Sequence, residues 1–310
     1  MKCLYCYKEN KEPGEFHEAC SQRFWGTPKA PEIPYTLDQM ASLARQVVER
    51  SVTVPGVQPK LSMSIIGEAL EHSKKRLTVV DALGGKYIFK PPSANYKEMP
   101  ANEHLTMRIA EAFGINVVQS SLVSLQSSEL SYITKRIDRT TEGNKIHMLD
   151  MFQITEAFDK YKSSMEKVGR ALGEYSANPL LDKLFLFELT VFSFLFGNND
   201  MHLKNFSMIL NNGKWLLAPA YDLLNIAIVI PEDKEELALT LDGKKRKLTR
   251  DSFEKFATKL GLNKKQAQGV FQRFLRNKSK VTSLVEQSFL SPQMQNNYLD
   301  LVEQRYSVCQ

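Results

Sequence analysis

Asp200, Lys204 and Asn205 fall in one short polar run, Gly197-Asn198-Asn199-Asp200-Met201-His202-Leu203-Lys204-Asn205-Phe206. An acid, a cation and a carboxamide at these offsets are what phosphoryl transfer requires. The carboxylate orients and deprotonates a hydroxyl, the amide oxygen holds Mg²⁺, and the cation meets developing charge. A further carboxylate, Asp222, follows in Ala-Pro-Ala-Tyr-Asp-Leu-Leu. The chemistry these residues point to is ATP-dependent phosphorylation.

A nucleotide also needs a phosphate cation and a phosphate loop. Lys90 ends the apolar run Tyr87-Ile88-Phe89-Lys90, and Glu103 lies in the first turn of the helix expected next. A strand-end lysine oriented by a helix carboxylate is the arrangement that holds ATP phosphates in kinases. The plainer alternative is a surface lysine and a glutamate favoured by the helix dipole; beside Asp200, Asn205 and Asp222 the paired role is preferred. Residues 51–60, Ser-Val-Thr-Val-Pro-Gly-Val-Gln-Pro-Lys, occupy the place of a phosphate-covering loop. Backbone amides around Gly56, Val57 and Gln58 can form an anion nest, although one glycine also suits a simple Pro-Gly turn. Ser51 and Thr53 are candidate phosphoacceptors, because a phosphate there would compete with ATP for space.

These residues must be positioned by their surrounding elements. Thr36-Leu37-Asp38-Gln39 fits a capping box, and Leu37, Met40, Leu43, Val47 and Val48 mark one helical face. Strands are expected at 61–66, 77–80 and 87–90, with Gly84-Gly85 as a hairpin turn between the last two. A helix over 102–113 stops at Gly114, and strands follow at 117–125 and 130–137. From Met148 onward helical patterns dominate. Residues 180–196 are the most apolar, with Phe185, Phe187, Phe192, Phe194 and Phe196 read as core. Asn212-Gly213 joins a hairpin of 206–210 with 214–217, and the chain from Thr249 is mostly helical. Sheet before helix, without βα alternation, makes an α+β fold.

The chain has 310 residues, 43% hydrophobic and 25% charged, with net charge +6. These values fit an ordered globular protein and a weak preference for polyanionic ligands. Charges interrupt 180–196, so no membrane span is expected. The opening Met-Lys-Cys-Leu-Tyr-Cys lacks a leader's apolar stretch, so a cytoplasmic location and reduced cysteines are expected. Cys3, Cys6, His17 and Cys20 make a C-x₂-C and an H-x₂-C pair. Those types suit tetrahedral Zn²⁺, while thiols packed beside Phe16, Phe24 and Trp25 are the alternative. The run Lys244-Lys245-Arg246-Lys247 is read as a solvated loop, and direct nucleic-acid binding is not expected.

The chain resembles the HipA family of serine/threonine kinases, toxins of bacterial toxin–antitoxin pairs. The motifs that carry the resemblance are Pro55-Gly56-Val57-Gln58-Pro59-Lys60, Tyr87-Ile88-Phe89-Lys90-Pro91, Asn102-Glu103, Tyr132-Ile133-Thr134-Lys135-Arg136-Ile137-Asp138-Arg139, Asp150-Met151-Phe152-Gln153, Asn199-Asp200-Met201-His202-Leu203-Lys204-Asn205-Phe206-Ser207 and Ala220-Tyr221-Asp222. The resemblance implies a bilobed protein-kinase-like fold with a sheet-rich N-lobe and a helix-rich C-lobe. It implies ATP and Mg²⁺, with Asp200 as base, Asn205 and Asp222 as metal ligands, and Lys90 on the phosphates. Lys135 to Ile137 would flank adenine, Gln153 would line the site, and His202 and Lys204 would steady the transferred phosphate. The implied acceptor is a protein hydroxyl, with aminoacyl-tRNA synthetases as the target class and autophosphorylation at Ser51 or Thr53.

With only about fifty residues before the loop, the chain looks like the short HipT-type variant. A small protein resembling the missing subdomain would then be its antitoxin, beside a DNA-binding helix-turn-helix antitoxin. The expected division is a Cys/His segment at 1–35, an N-lobe at 36–137 and a helical C-lobe at 138–310. Two other readings are a small-molecule or lipid kinase, and a non-catalytic kinase-shaped module of a repressor complex.

Overall fold

The computed structural model describes residues 1–50, 61–67, 75–79, 85–92, 95–96 and 98–309. Residues 51–60 lie outside them, and with them Ser51, Thr53, Gly56, Val57 and Gln58. The chain divides into two compact units. One comprises Met1–His104, Val118–Lys145 and Gln287–Phe289; the other comprises Leu105–Val117, Ile146–Glu286 and Leu290–Gln310.

The first unit opens with α1 (Glu18–Trp25) and α2 (Leu37–Arg50). The capping box read from Thr36 is present. The Thr36 N–H donates to the Gln39 side chain at 2.9 Å, and the Gln39 N–H to the Thr36 hydroxyl at 3.4 Å. Strands β1 (Leu61–Gly67), β2 (Lys75–Val79) and β3 (Tyr87–Lys90) precede α3 (Met99–Ala112), and β4 (Ser120–Ser124) and β5 (Leu130–Lys135) follow it. The five strands form one antiparallel sheet in the order β2-β1-β3-β5-β4. Because β1 lies between β2 and β3, those two strands do not pair as the hairpin expected between them, and Gly84 of its expected turn lies outside the described residues. Cys3, Tyr5, Phe24, Trp25 and Met40 share one core with Met63, Tyr87, Phe89, Val123, Leu125 and Ile133, so the N-terminal segment packs into the body of this unit.

The second unit contains β6 (Met148–Asp150), α4 (Met151–Ile154), α5 (Met165–Tyr175) and α6 (Pro179–Leu195). After the polar run come β7 (Ser207–Asn211) and β8 (Lys214–Leu217), then α7 (Arg250–Lys259), α8 (Lys264–Gln287) and α9 (Pro292–Cys309). Strands β6-β7-β8 form a small antiparallel sheet. Asn212 and Gly213 turn β7 into β8 with φ of 48° and 74°, the two positive values that a type I′ turn demands.

Helix α6 is the centre of this unit. Phe187, Phe192, Phe194 and Phe196 are fully buried. Phe192 and Phe196 pack with Phe113, and Phe187 packs with Phe256 and Phe271. Phe185 differs from expectation: it is exposed on the outer face of α6. An α6 interior buried on nearly every side delivers the chain at Gly197 to a fixed point. That residue sits at φ +64°, and a Cβ there would lie 2.4 Å from Asn225 Oδ1 and 2.6 Å from Leu301 Cδ2. Both the left-handed backbone and the space admit only glycine. Among the described residues, no helix is long and apolar enough to cross a membrane.

Candidate active site

The loop after Gly197 is held from below by buried amides. The Asn198 N–H donates to the Ser193 carbonyl at 2.8 Å. The Asn199 side-chain amide donates to Asp233 at 3.0 Å and to the Glu235 carbonyl at 3.2 Å. A single 3₁₀ turn at Leu203–Asn205 follows, with Met201 and Leu203 fully buried. Alternation of apolar anchors with polar groups sends Asp200 and Lys204 outward while the backbone stays clamped. Lys204 is exposed, its ammonium 4.9 Å from the Phe152 ring centroid.

Asn205 is buried, and its Nδ2 donates to the Asp200 backbone carbonyl at 3.1 Å. That bond sets the amide orientation and leaves Oδ1 as the acceptor. Asp222 is half-buried, at φ +60°, a conformation uncommon outside glycine and associated with functional positions. Its neighbour Tyr221 brings it to the loop: the Tyr221 hydroxyl donates to the Lys204 carbonyl at 2.9 Å and lies 2.5 Å from Ser207 Oγ. Burial raises the Tyr221 phenol pKa far above its usual value, so it remains a donor at any ordinary pH. A carboxamide oxygen and a carboxylate are hard oxygen donors, the set Mg²⁺ prefers. The residues therefore fit that ion.

Two residues outside every motif complete the loop. The Tyr161 hydroxyl donates to Asp200 Oδ1 at 2.7 Å, and burial together with the Asp200 carboxylate pushes its pKa well upward. The Lys160 ammonium donates to His202 Nε2 at 2.9 Å. The Lys160 carbonyl accepts the Leu203 N–H at 3.1 Å. His202 is 7% exposed. Burial lowers its pKa and Lys160 adds to that, while Asp200 and Asp222 oppose it. The imidazole is neutral, with the proton assigned to Nδ1 by the Lys160 contact. No sequence spacing links Tyr161 to Asp200. The signal available was a lysine and a tyrosine side by side in a polar loop, which is not specific.

Gln153 is exposed, at the third position of α4, where it completes a capping box. Its N–H donates to Asp150 at 2.8 Å and its side-chain oxygen accepts the Asp150 N–H at 3.1 Å. In the first unit, Lys90 and Glu103 form a buried ion pair at 2.6 Å, at 3% and 0% exposure. Helix α3 begins at Met99, earlier than expected, so Glu103 lies in its second turn and is not the exposed helix-start residue of the plainer reading. Lys90 also stands 5.3 Å from the Tyr132 ring centroid, opposite it in the sheet. Lys135 ends β5. Its N–H donates to the Gln119 carbonyl and its ammonium to the Arg23 carbonyl at 3.4 Å, with burial lowering its pKa. Ile137 follows in a turn beside Asp138.

Residues 52–281 match the model of the HipA-like C-terminal domain. The chain belongs to this family. A Haemophilus influenzae protein named "Putative kinase" is 27% identical over 290 residues, covering 84% of this chain and 82% of its own length. "Putative kinase Y4dM" of Sinorhizobium fredii is 34% identical over 232 residues, covering 69% of this chain. The serine/threonine-protein kinase toxin HipA of Shewanella oneidensis is 24% identical over 212 residues, covering 62%. This chain spans about half the length of the last two, 54% and 47%.

Among solved structures, HipA from the Shewanella oneidensis HipA–HipB–operator DNA complex aligns with TM-score 0.67 at 20% identity, covering 86% of this chain and 70% of that one. The Helicobacter pylori proinflammatory kinase CtkA aligns with TM-score 0.55 at 17% identity, covering 72% and 86%. The fold of this HipA-family chain is thus the kinase-like α+β fold, sheet-rich in its first unit and helix-rich in its second.

Proposed function

We propose that this chain is an ATP-dependent serine/threonine protein kinase, acting as the toxin of a toxin–antitoxin pair. The observation that carries the reading is the construction of the loop. Tyr161 engages Oδ1 of Asp200, so Oδ2 is the oxygen on which an acceptor hydroxyl would be drawn. Asp200 orients that hydroxyl and takes its proton as the hydroxyl oxygen bonds to the γ-phosphorus. The bond to the β–γ bridging oxygen breaks, and ADP leaves with its electron pair. Asn205 Oδ1 and Asp222 would hold Mg²⁺, which when bound neutralises phosphate charge. Lys90, aimed by Glu103, binds the ATP phosphates. Lys204 and neutral His202 steady the transferring group, Lys135 to Ile137 flank adenine, and Gln153 borders the acceptor.

The family resemblance extends the proposal to an aminoacyl-tRNA synthetase target, autophosphorylation at Ser51 or Thr53 beside Gly56, Val57 and Gln58, and the short HipT-type arrangement with a small antitoxin and a helix-turn-helix antitoxin. HipB in the related complex supports an antitoxin partner in kind. The deciding experiment incubates the chain and its Asp200→Asn variant with radiolabelled ATP and cell lysate. A labelled protein band that falls about 10²–10⁴-fold in the variant is expected, at unchanged thermal stability. Label in lipid or metabolite alone, or equal labelling by the variant, would overturn the reading.

A further inference from the structure

Residues 1–25 build a second polar centre that the kinase reading does not use. Cys3, Cys6, His17 and Cys20 bring one ligand atom each within 4.8 Å of one another. His17 Nδ1 lies 3.4 Å from Cys6 Sγ and 3.7 Å from Cys20 Sγ. In a tetrahedron with Zn–S near 2.3 Å, ligand atoms sit roughly 3.8 Å apart, so these separations are tetrahedron edges. His17 Nε2 lies 3.0 Å from the Glu9 carbonyl. A carbonyl only accepts, so Nε2 carries the proton and Nδ1 presents its lone pair to the three sulfurs. That is the outer-shell bond by which proteins orient a ligating imidazole.

The backbone is shaped for the purpose. A bridge of Lys2 with Glu9 closes a tight turn. The Cys3 N–H donates to the Lys8 carbonyl at 2.9 Å and the Tyr7 N–H to the Cys3 carbonyl at 3.0 Å, with Tyr7 at φ +68°. The turn sets Cys3 and Cys6 side by side. The other half comes from α1, with His17 at its N-cap and Cys20 in its first turn. A knuckle facing a helix start gives two ligand pairs from separate elements. All four cysteines of the chain are free thiols, and a disulfide between any two of the cluster would strand the third sulfur beside it.

We infer that Cys3, Cys6, His17 and Cys20 form a closed, structural Zn²⁺ site that clamps the N-terminal segment onto the sheet carrying Lys90. Three soft thiolates and one imidazole select zinc over the hard cations of the phosphate chemistry. With four protein ligands no position remains for water or substrate. The segment it ties down contributes Cys3, Tyr5, Phe24 and Trp25 to the core around Tyr87, Phe89 and Ile133. The Leu4 carbonyl accepts the Leu122 N–H at 3.3 Å from β4. Metal binding is thereby linked to the folding of β3, β4 and β5.

The test uses the full chain, purified without a metal-binding tag. Elemental analysis should find one zinc per chain, and exchange with Co²⁺ should give the absorption of a tetrahedral thiolate complex. Cys6→Ser and Cys20→Ser should fall below a tenth of that zinc, with a lower melting temperature. Cys309→Ser should keep it, and His17→Cys, which restores four ligands, should keep most of it. Should the serine variants not fold, titrating wild-type thiols with a mercurial and following zinc release with a chromophoric chelator gives the same reading. A folded, metal-free chain that takes up no Co²⁺, or one that holds iron, overturns the assignment.

Discussion

Lys90 and Asp200 are both charged groups set on well-buried scaffolds, yet the two units hold them in opposite ways. Lys90 is almost wholly out of water and meets Glu103 at 2.6 Å, charge against charge. Asp200 is half-buried, and a neutral phenol, that of Tyr161, donates to its Oδ1. Below it the loop is pinned by neutral amides, a tyrosine and a neutral histidine. A buried ion pair is weak evidence of stability design, because desolvation offsets most of its attraction. The contrast teaches that the first unit holds its cation by an opposite charge out of water, whereas the second holds its carboxylate by a neutral hydrogen bond at the edge of water.

The sharpest break of that contrast is at Glu103. Glu103→Gln removes the carboxylate that meets the buried Lys90 ammonium at 2.6 Å and should cost about 3–5 kcal/mol, read from the midpoint of urea unfolding. The double variant Lys90→Met with Glu103→Leu should recover most of that stability while phosphoryl transfer stays lost. Recovery of both would mean the pair serves folding alone. Next in size is Tyr161→Phe, which removes the hydroxyl on Oδ1 without opening space. A fall in kcat of about tenfold, roughly 1.4 kcal/mol, is expected with KM for ATP unchanged. An effect on KM alone would remove Tyr161 as a positioning residue.

The smallest effect concerns His202. Burial holds its folded pKa below the ordinary 6.5, so below that pH the unfolded chain binds a proton the folded chain refuses. The folded state therefore loses stability as pH drops from 6.5 toward the folded pKa and gains nothing further above 6.5. His202→Gln should flatten that slope in urea midpoints measured from pH 7.5 to 5, and an unchanged slope would place the histidine in water.

Much of this was legible in local chemistry. The Thr36–Gln39 cap, the Asn212-Gly213 turn and the apolar span of α6 depend on neighbours within a few residues, and each formed where its residue types indicated. The Asp200–Asn205 offset is short enough that one 3₁₀ turn brings the amide under the carbonyl. Strand order was not legible: a Gly-Gly between two strands looks like a hairpin, but β1 takes the place between β2 and β3. Tyr161 and Lys160 reach the loop from 39 and 42 residues away, and Phe185 faces outward although its neighbours in α6 are buried.

Residue types and their spacing determined that this chain carries an acid, an amide, a second acid and a strand-end lysine in the order a HipA-family kinase requires, and that its first twenty residues hold three thiols and an imidazole. Those are properties of short-range covalent geometry, which a few residues encode. Only the tertiary structure decided that Glu103 is buried against Lys90, that Tyr161 rests on Asp200, and that four distant sulfur and nitrogen atoms converge. Each of those depends on burial and on contacts closed across long loops, where packing of the whole core selects the partner.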